Sequence, residues 1–286
     1  MRQVGLIGFP VAHSLSPRMQ QAAFDACGIA ARYALWETAP ADLPARIASL
    51  RASEILGANV TIPYKTAALE YIDGCDPLAA RVGAINTIVT RDGRLIGYNT
   101  DVGGLMQALA ANKDHPFHSQ GKSAIILGTG GAARAAAVGL LEGNVAELIV
   151  LGRNKAHADA FLEHLQASAD ACSVSIAAKL HAATLGSPEG NEFLARADLL
   201  VNATPVGLHK ADRQILVDVD CVSSSALVMD MIFNPPHTPL LRAAQAHGCA
   251  TLNGLSMLLY QGALAFELWT GQPTPLAVMQ RALGLS

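Results

Sequence analysis

The sequence predicts an α/β protein in two parts, and three observations carry that expectation. Short apolar runs alternate with helical patterns through most of the chain, which argues for layers of helix and sheet. The run Ser123-Ala124-Ile125-Ile126-Leu127 leads into Gly128-Thr129-Gly130-Gly131-Ala132-Ala133 and then an alanine-rich helical pattern from Arg134 to Leu141. Strand, glycine turn and helix in that order are the context of a dinucleotide-binding loop, so the later part reads as Rossmann-like. Finally, Asp92-Gly93 between the runs Ile85–Thr90 and Leu95–Asn99 is a strong hairpin-turn signal.

Taken in order, Gln3 to Phe9 is a strand candidate ended by Pro10. Ser16-Pro17 reads as an N-cap followed by proline in the first helical turn, and Gly28 closes that helix near Cys27. Arg32 to Glu37 is a second strand, Ala41 to Ala52 an amphipathic helix, and Gly57 to Ile62 a third strand stopped by Pro63. Pro63 fits the first turn of a further helix, which would place Lys65 near a helix N-terminus, where the dipole disfavours an ammonium. Val102 to Asn112 is helical, and polar residues from Lys113 to Lys122 lead to the glycine loop. Later strands are expected at Glu147–Leu151, Val174–Ala178, Leu199–Ala203, Leu227–Met231 and Ala250–Leu252. From Ser256 the pattern is helical, with a break from Gly271 to Pro275.

Within the glycine loop, Gly128 permits the tight turn and Gly130 the approach of a pyrophosphate. Thr129, Gly131 and Ala132 complete the loop, and Ala133 lets helix and strand pack closely. The helix start offers free N–H groups to an anion. After the next strand comes Gly152-Arg153-Asn154-Lys155, where an NAD site would usually carry an acidic residue for the ribose hydroxyl. A guanidinium there suits a 2′-phosphate, so Arg153 points to NADP rather than NAD.

Composition narrows the alternatives. A chain of 286 residues with 51% hydrophobic and 15% charged residues is long enough for one large or two ordinary domains. The net charge of −3 supplies no electrostatic reason to bind nucleic acid or an anionic membrane. Five scattered cysteines without a C-x-x-C pair form neither a disulfide framework nor a metal site, and no histidines have metal-ligand spacing. With no signal-peptide pattern and no apolar stretch of spanning length, a cytoplasmic, soluble protein is expected.

Four polar clusters lie at strand ends, where open α/β sheets place ligands. In His13-Ser14-Leu15-Ser16-Pro17, the two serines could present hydroxyls to a small polar ligand, or Ser16 could simply cap a helix. In Asn59-Val60-Thr61-Ile62-Pro63-Tyr64-Lys65, strand alternation puts Asn59 and Thr61 on one face, and Lys65 is a candidate proton-transfer group. Gly83-Ala84-Ile85-Asn86-Thr87 and Gly97-Tyr98-Asn99-Thr100-Asp101 are the others. Asp101 could cap the following helix or hold the Lys65 ammonium by charge pairing.

These motifs, in this order, resemble the shikimate dehydrogenase family over nearly the whole chain. The likeness extends through Asn202-Ala203-Thr204-Pro205-Val206-Gly207, Met257-Leu258, Gln261-Gly262-Ala263, Phe266-Glu267 and Trp269-Thr270-Gly271. The resemblance implies a substrate domain from residues 1–101, completed by C-terminal helices over 256–286, with a Rossmann-like NADP-binding domain over 102–255. It implies reversible NADPH-dependent reduction of 3-dehydroshikimate to shikimate, a step toward aromatic amino acids, in a monomer or homodimer. Lys65 would be the general acid/base and Asp101 its catalytic partner. Ser14, Ser16, Asn59, Thr61, Asn86, Asp101 and Gln261 would hold the substrate. Cofactor contacts would come from the loop Gly128 to Ala132, Arg153, Asn154, Thr204 and Met231.

The chain departs from the family pattern in two places. A tyrosine common in the Asp-x-x-Tyr segment is Phe233 in Asp230-Met231-Ile232-Phe233. Gly152 and His157 replace an asparagine and a second arginine around the basic turn. The competing readings are a quinate/shikimate dehydrogenase using NAD(P) and a non-catalytic dinucleotide-binding regulator on the same fold. Retention of both Lys65 and Asp101 argues against the regulator.

Overall fold

A computed structural model describes residues 1–209 and 211–285. The chain forms two compact units, one comprising Met1–Gly104 with the residues from Leu258 onward, the other Leu105–Met257.

The first unit begins with β1 (Arg2–Gly8), α1 (Ser16–Ala26), β2 (Ala31–Glu37), α2 (Leu43–Ser49) and β3 (Ile55–Val60). It continues through β4 (Gly74–Cys75), α3 (Pro77–Val82), β5 (Thr87–Arg91), β6 (Arg94–Tyr98) and the start of α4 (Asp101–Ala110). Its six-stranded sheet has the order β2-β1-β3-β5-β6-β4. Strand β1 pairs in parallel with β2 and β3, whereas β3–β5 and β5–β6 are antiparallel. The expected hairpin joins β5 to β6, with Asp92 at φ 51 and Gly93 at φ 72 in the left-handed region that tight hairpins require. Ile7, Ile47, Val60, Ile85, Ile88 and Leu95 form its buried core. Register places Asn59 opposite Thr87, and Thr87 opposite Tyr98. The polar ends of three strands therefore meet at one edge of the core.

The expected helix from Ala41 to Ala52 is shorter than its periodicity suggests. A 3-10 turn occupies Pro40–Asp42, and α2 starts at Leu43 with Pro44 in its first turn. Proline has no N–H to donate, so that first turn is where a helix tolerates it.

The second unit holds β7 (Ser123–Leu127), α5 (Gly131–Glu142), β8 (Glu147–Gly152), α6 (Lys155–Ala171) and β9 (Lys179–Thr184). Then follow α7 (Pro188–Leu194), β10 (Leu199–Asn202), β11 (Leu227–Asp230), α8 (Pro239–Ala246) and β12 (Ala250–Asn253). All six strands are parallel, in the order β12-β11-β10-β7-β8-β9. That is the doubly wound arrangement of two mononucleotide-binding halves, which meet where β7 adjoins β10. The continuous apolar runs of β7 and β8 suit strands covered on both faces, and Ile125, Leu127, Ile149 and Leu151 are completely buried.

One strand was expected in the wrong place. Val174–Ala178 is irregular, and β9 begins at Lys179, which pairs with Glu147. Ser173, at φ 57, ends the turn after α6, and the apolar residues that follow cross back to the sheet edge. Pairing with β8, not local apolarity, sets where this strand starts.

The chain closes with α9 (Leu255–Thr270) and α10 (Leu276–Leu283). Within the first unit α10 packs against α1, the Phe24 and Phe266 rings lie 5.5 Å apart, and Trp269 Nε1 donates to Ile88 O at 2.9 Å. No helix among the described residues is long and apolar enough to cross a membrane.

Candidate active site

In the first unit, side chains from several segments converge. Lys65 Nζ donates to Asp101 Oδ2 at 2.5 Å, with Lys65 only 17% and Asp101 only 5% exposed. The pair is largely shielded from water, so removing either partner would leave the other charge buried and unpaired. Asp101 is the first residue of α4: its backbone N–H donates to Asn99 Oδ1 at 3.1 Å, and its carboxylate accepts from Lys65 and Asn86.

Asn86 is the hub. Its Nδ2 donates toward Asp101 Oδ1 (2.8 Å), Thr100 Oγ1 (2.9 Å) and Gln261 Oε1 (3.2 Å). Its Oδ1 accepts from Thr100 N at 2.7 Å and Thr87 Oγ1 at 3.1 Å. Two amide hydrogens are thus shared among three acceptors, which ties α9 to the end of β6 and to the catalytic candidates.

Pro63 does not open an α-helix. Lys65 lies in a turn just before Thr66, the N-cap of a short 3-10 helix over Ala67–Tyr71. The Ile62–Pro63 bond is cis. Only this short 3-10 helix follows Lys65, and the ion pair with Asp101 is the nearer influence on its side chain.

Asn59 is braced by a residue the sequence reading overlooked, Tyr33. Buried in β2, the Tyr33 hydroxyl donates to Asn59 Oδ1 at 2.7 Å. Burial pushes the phenol well above its ordinary pKa. Asn59 Nδ2 donates to Asn86 O and Thr87 Oγ1, both at 3.1 Å, so both amide hydrogens are used internally. The signal for Tyr33 was available, because a tyrosine on the buried side of a strand needs a partner for its hydroxyl. Ser16 is the first residue of α1 and not its N-cap, which is Leu15. Ser14 Oγ accepts from Ser16 N at 3.2 Å, a local turn. Thr61 is half-buried just past β3, with its methyl packed where a Cβ on Gly8 would fall.

The glycine loop of the second unit is built from backbone. Gly128 has φ +104, and a Cβ there would lie 2.9 Å from Thr204 Cγ2. Gly130 is the N-cap of α5 and has no side chain to cap with. Among the described residues, nothing accepts from the N–H groups of Gly131, Ala132 and Ala133. Unpaired N–H groups at the positive end of a helix, beside glycines, fit a pyrophosphate. At the end of β8, Lys155 pairs with Asp159 at 2.8 Å, and Asn154 Oδ1 caps α6 by accepting from Ala156 N. No carboxylate among the described residues pairs with Arg153, which is exposed. Its uncommitted fork fits a phosphate. Thr204 and Met231 lie after β10 and β11, at the same carboxyl edge of the sheet. Among the described residues, no group of three or more His, Cys, Asp or Glu is placed to hold a metal ion.

An all-parallel doubly wound sheet with this loop, in a chain whose other unit carries a shielded Lys–Asp pair, defines an α/β dinucleotide-binding dehydrogenase. Comparisons with known proteins narrow the class. Residues 6–88 match the shikimate dehydrogenase substrate binding domain, and residues 254–283 match the shikimate 5′-dehydrogenase C-terminal domain. The chain is 43% identical over 282 residues to the shikimate dehydrogenase (NADP(+)) of Symbiobacterium thermophilum, covering 98% of this chain and 93% of that one. It superposes on the Thermus thermophilus shikimate 5-dehydrogenase, crystallised with NADP(H) and shikimate, with a TM-score of 0.85 at 35% identity and 99% coverage of both chains. A quinate dehydrogenase from Corynebacterium glutamicum in complex with NAD is also similar, at TM-score 0.85, 30% identity and 98% coverage of each chain. The chain belongs to the shikimate dehydrogenase family.

Proposed function

We propose that this protein is an NADP-dependent oxidoreductase that interconverts 3-dehydroshikimate and shikimate, in the pathway to aromatic amino acids. The observation that carries the reading is the 2.5 Å Lys65–Asp101 pair braced by Asn86 in a chain of this family. NADPH, when bound, supplies the hydride that reduces the C3 carbonyl. Lys65 donates its ammonium proton to the C3 oxygen as negative charge builds there, and takes a proton from the alcohol in the reverse direction. Asp101 holds and aims the Lys65 side chain through the 2.5 Å contact.

The substrate's carboxylate and hydroxyls are held by Ser14, Ser16, Asn59, Thr61, Asn86, Asp101 and Gln261. Asn59 Nδ2 also braces Asn86 O and Thr87 Oγ1. The cofactor is held by Gly128, Thr129, Gly130, Gly131 and Ala132, with Asn154, Thr204 and Met231, and Arg153 binds the 2′-phosphate. Residues 1–101 with 256–286 form the substrate domain and 102–255 the cofactor domain. Five free thiols support a cytoplasmic location.

The test is the change in absorbance at 340 nm with shikimate or quinate and NADP or NAD. Turnover should be most efficient with shikimate and NADP. Comparable kcat/KM for the two acids would replace this reading with a quinate/shikimate dehydrogenase, and absence of turnover would favour a dinucleotide-binding regulator.

A further inference from the structure

The second unit contains a buried polar network that no step above uses. Asn202 and Asp230 are the last residues of β10 and β11 and are directly paired in register. They are 1% and 0% exposed. Asp230 Oδ1 accepts from Asn202 Nδ2 at 3.1 Å and Ile232 N at 3.0 Å, and Oδ2 accepts from Thr238 Oγ1 at 2.7 Å. Asn202 Oδ1 in turn accepts from Thr204 Oγ1 at 2.7 Å and Thr204 N at 3.0 Å, while its Nδ2 also donates to Val206 O at 3.2 Å. Met231 N donates to Asn202 O at 3.1 Å. One carboxylate thus anchors the loop after β10, the loop after β11 and the N-cap of α8.

A carboxylate is an expensive way to hold a fold. Burial opposes its charge and raises the Asp230 pKa. An apolar pair at these strand ends would join β10 to β11 without that cost. What an apolar pair could not do is fix the direction of hydrogen bonds into two loops. Both loops leave the carboxyl edge of the sheet on the β10–β11 side of the point where the halves meet. Arg153, after β8, lies on the other side. In a doubly wound sheet the two halves of a dinucleotide lie on opposite sides of that point. The adenosine end therefore belongs with Arg153, and the nicotinamide end with Thr204 and Met231. Thr204 also reaches the glycine loop, since its methyl fills the space a Cβ on Gly128 would need.

We infer that Asp230 is a positioning residue for the nicotinamide half of the cofactor, acting through Asn202 on Thr204 and directly on the loop that begins at Met231. The inference rests on the NADP reading given above. Fluorescence titration separates the two. NADPH carries both halves of the ligand, whereas adenosine 2′,5′-bisphosphate carries only the end assigned to Arg153. Asp230→Ala should weaken NADPH binding about tenfold or more, the scale of losing a hydrogen-bonded buried charge. Binding of adenosine 2′,5′-bisphosphate should stay within about twofold of the unsubstituted protein, as this inference requires the adenosine site to be untouched. Asp230→Asn keeps the size and an acceptor for Asn202, guards against misfolding, and should show a smaller loss in the same pattern. Equal weakening of both ligands, or no loss for NADPH in either variant, overturns the positioning role. Failure of the unsubstituted protein to bind either ligand instead overturns the cofactor reading.

Discussion

Around Lys65 the working groups are side chains already bonded to one another, whereas from Gly131 to Ala133 they are backbone N–H groups with no acceptor among the described residues. The first region is wired before any ligand arrives. Asn86, Thr100, Asp101 and Gln261 are each at most 9% exposed, and each holds another. The second region is defined by what is missing: no capping side chain at Gly130, and no Cβ at Gly128 to displace Thr204. A site made of side chains stores its specificity in residue chemistry. A site made of backbone stores it in conformation. Substitutions should therefore fail differently in the two regions.

The largest expected effect is at the side-chain site. General acid/base groups contribute roughly 10² to 10⁴-fold, so Lys65→Ala should lower kcat by about that factor. NADPH affinity, measured by fluorescence, should be unchanged, because the lysine belongs to the other region. Near-normal kcat would remove Lys65 from the proton transfer.

Arg153 is the one side chain assigned a dominant role in the backbone-built region, and it provides the next test. A charge-assisted contact to phosphate is worth about 1.5–3 kcal/mol, or roughly 10 to 150-fold in affinity. Arg153→Ala should weaken NADP by that factor while leaving NAD nearly unaffected. If both cofactors weaken equally, the guanidinium does not read the 2′-phosphate.

Conformation itself is tested at Gly128. Alanine at φ +104, with its Cβ 2.9 Å from Thr204, should cost about 1–3 kcal/mol in strain. The expected outcome is a lower Tm together with weaker NADPH binding. An alanine variant with unaltered Tm and affinity would show that the loop does not depend on this glycine.

The smallest effect concerns Phe233. Restoring the family's hydroxyl with Phe233→Tyr should lower KM for shikimate by about 2 to 10-fold, the worth of one hydrogen bond. The kcat should barely move. An unchanged KM would mean that residue 233 does not help to hold the substrate in this chain.

Much of this organisation is legible in the linear chain. Apolar runs ended by glycine or proline located most strands, and the Asp92-Gly93 turn was readable because only certain residues accept positive φ. The glycine loop was readable for the same reason: strand, turn and helix lie consecutively, so local patterning specifies them together. The motifs also named Lys65, Asn86 and Asp101. Spacing alone says nothing of their meeting, because contacts across 36 and 15 residues are set by the register of β3, β5 and β6.

Local signals failed wherever a distant partner decided the outcome. Val174–Ala178 looked like a strand, but the edge pairing with β8 starts at Lys179. Pro63 looked like a helix start, but the chain turns there, and an aspartate brought in from α4 sets the surroundings of Lys65. Tyr33 and Asp230 entered the sites only through partners 26 and 28 residues away. Backbone preference and apolar periodicity act over a few residues, so the sequence by itself determined the elements and the candidate groups. Hydrogen bonds between buried polar side chains need atoms within about 3 Å of one another, and only the packed sheets bring them that close.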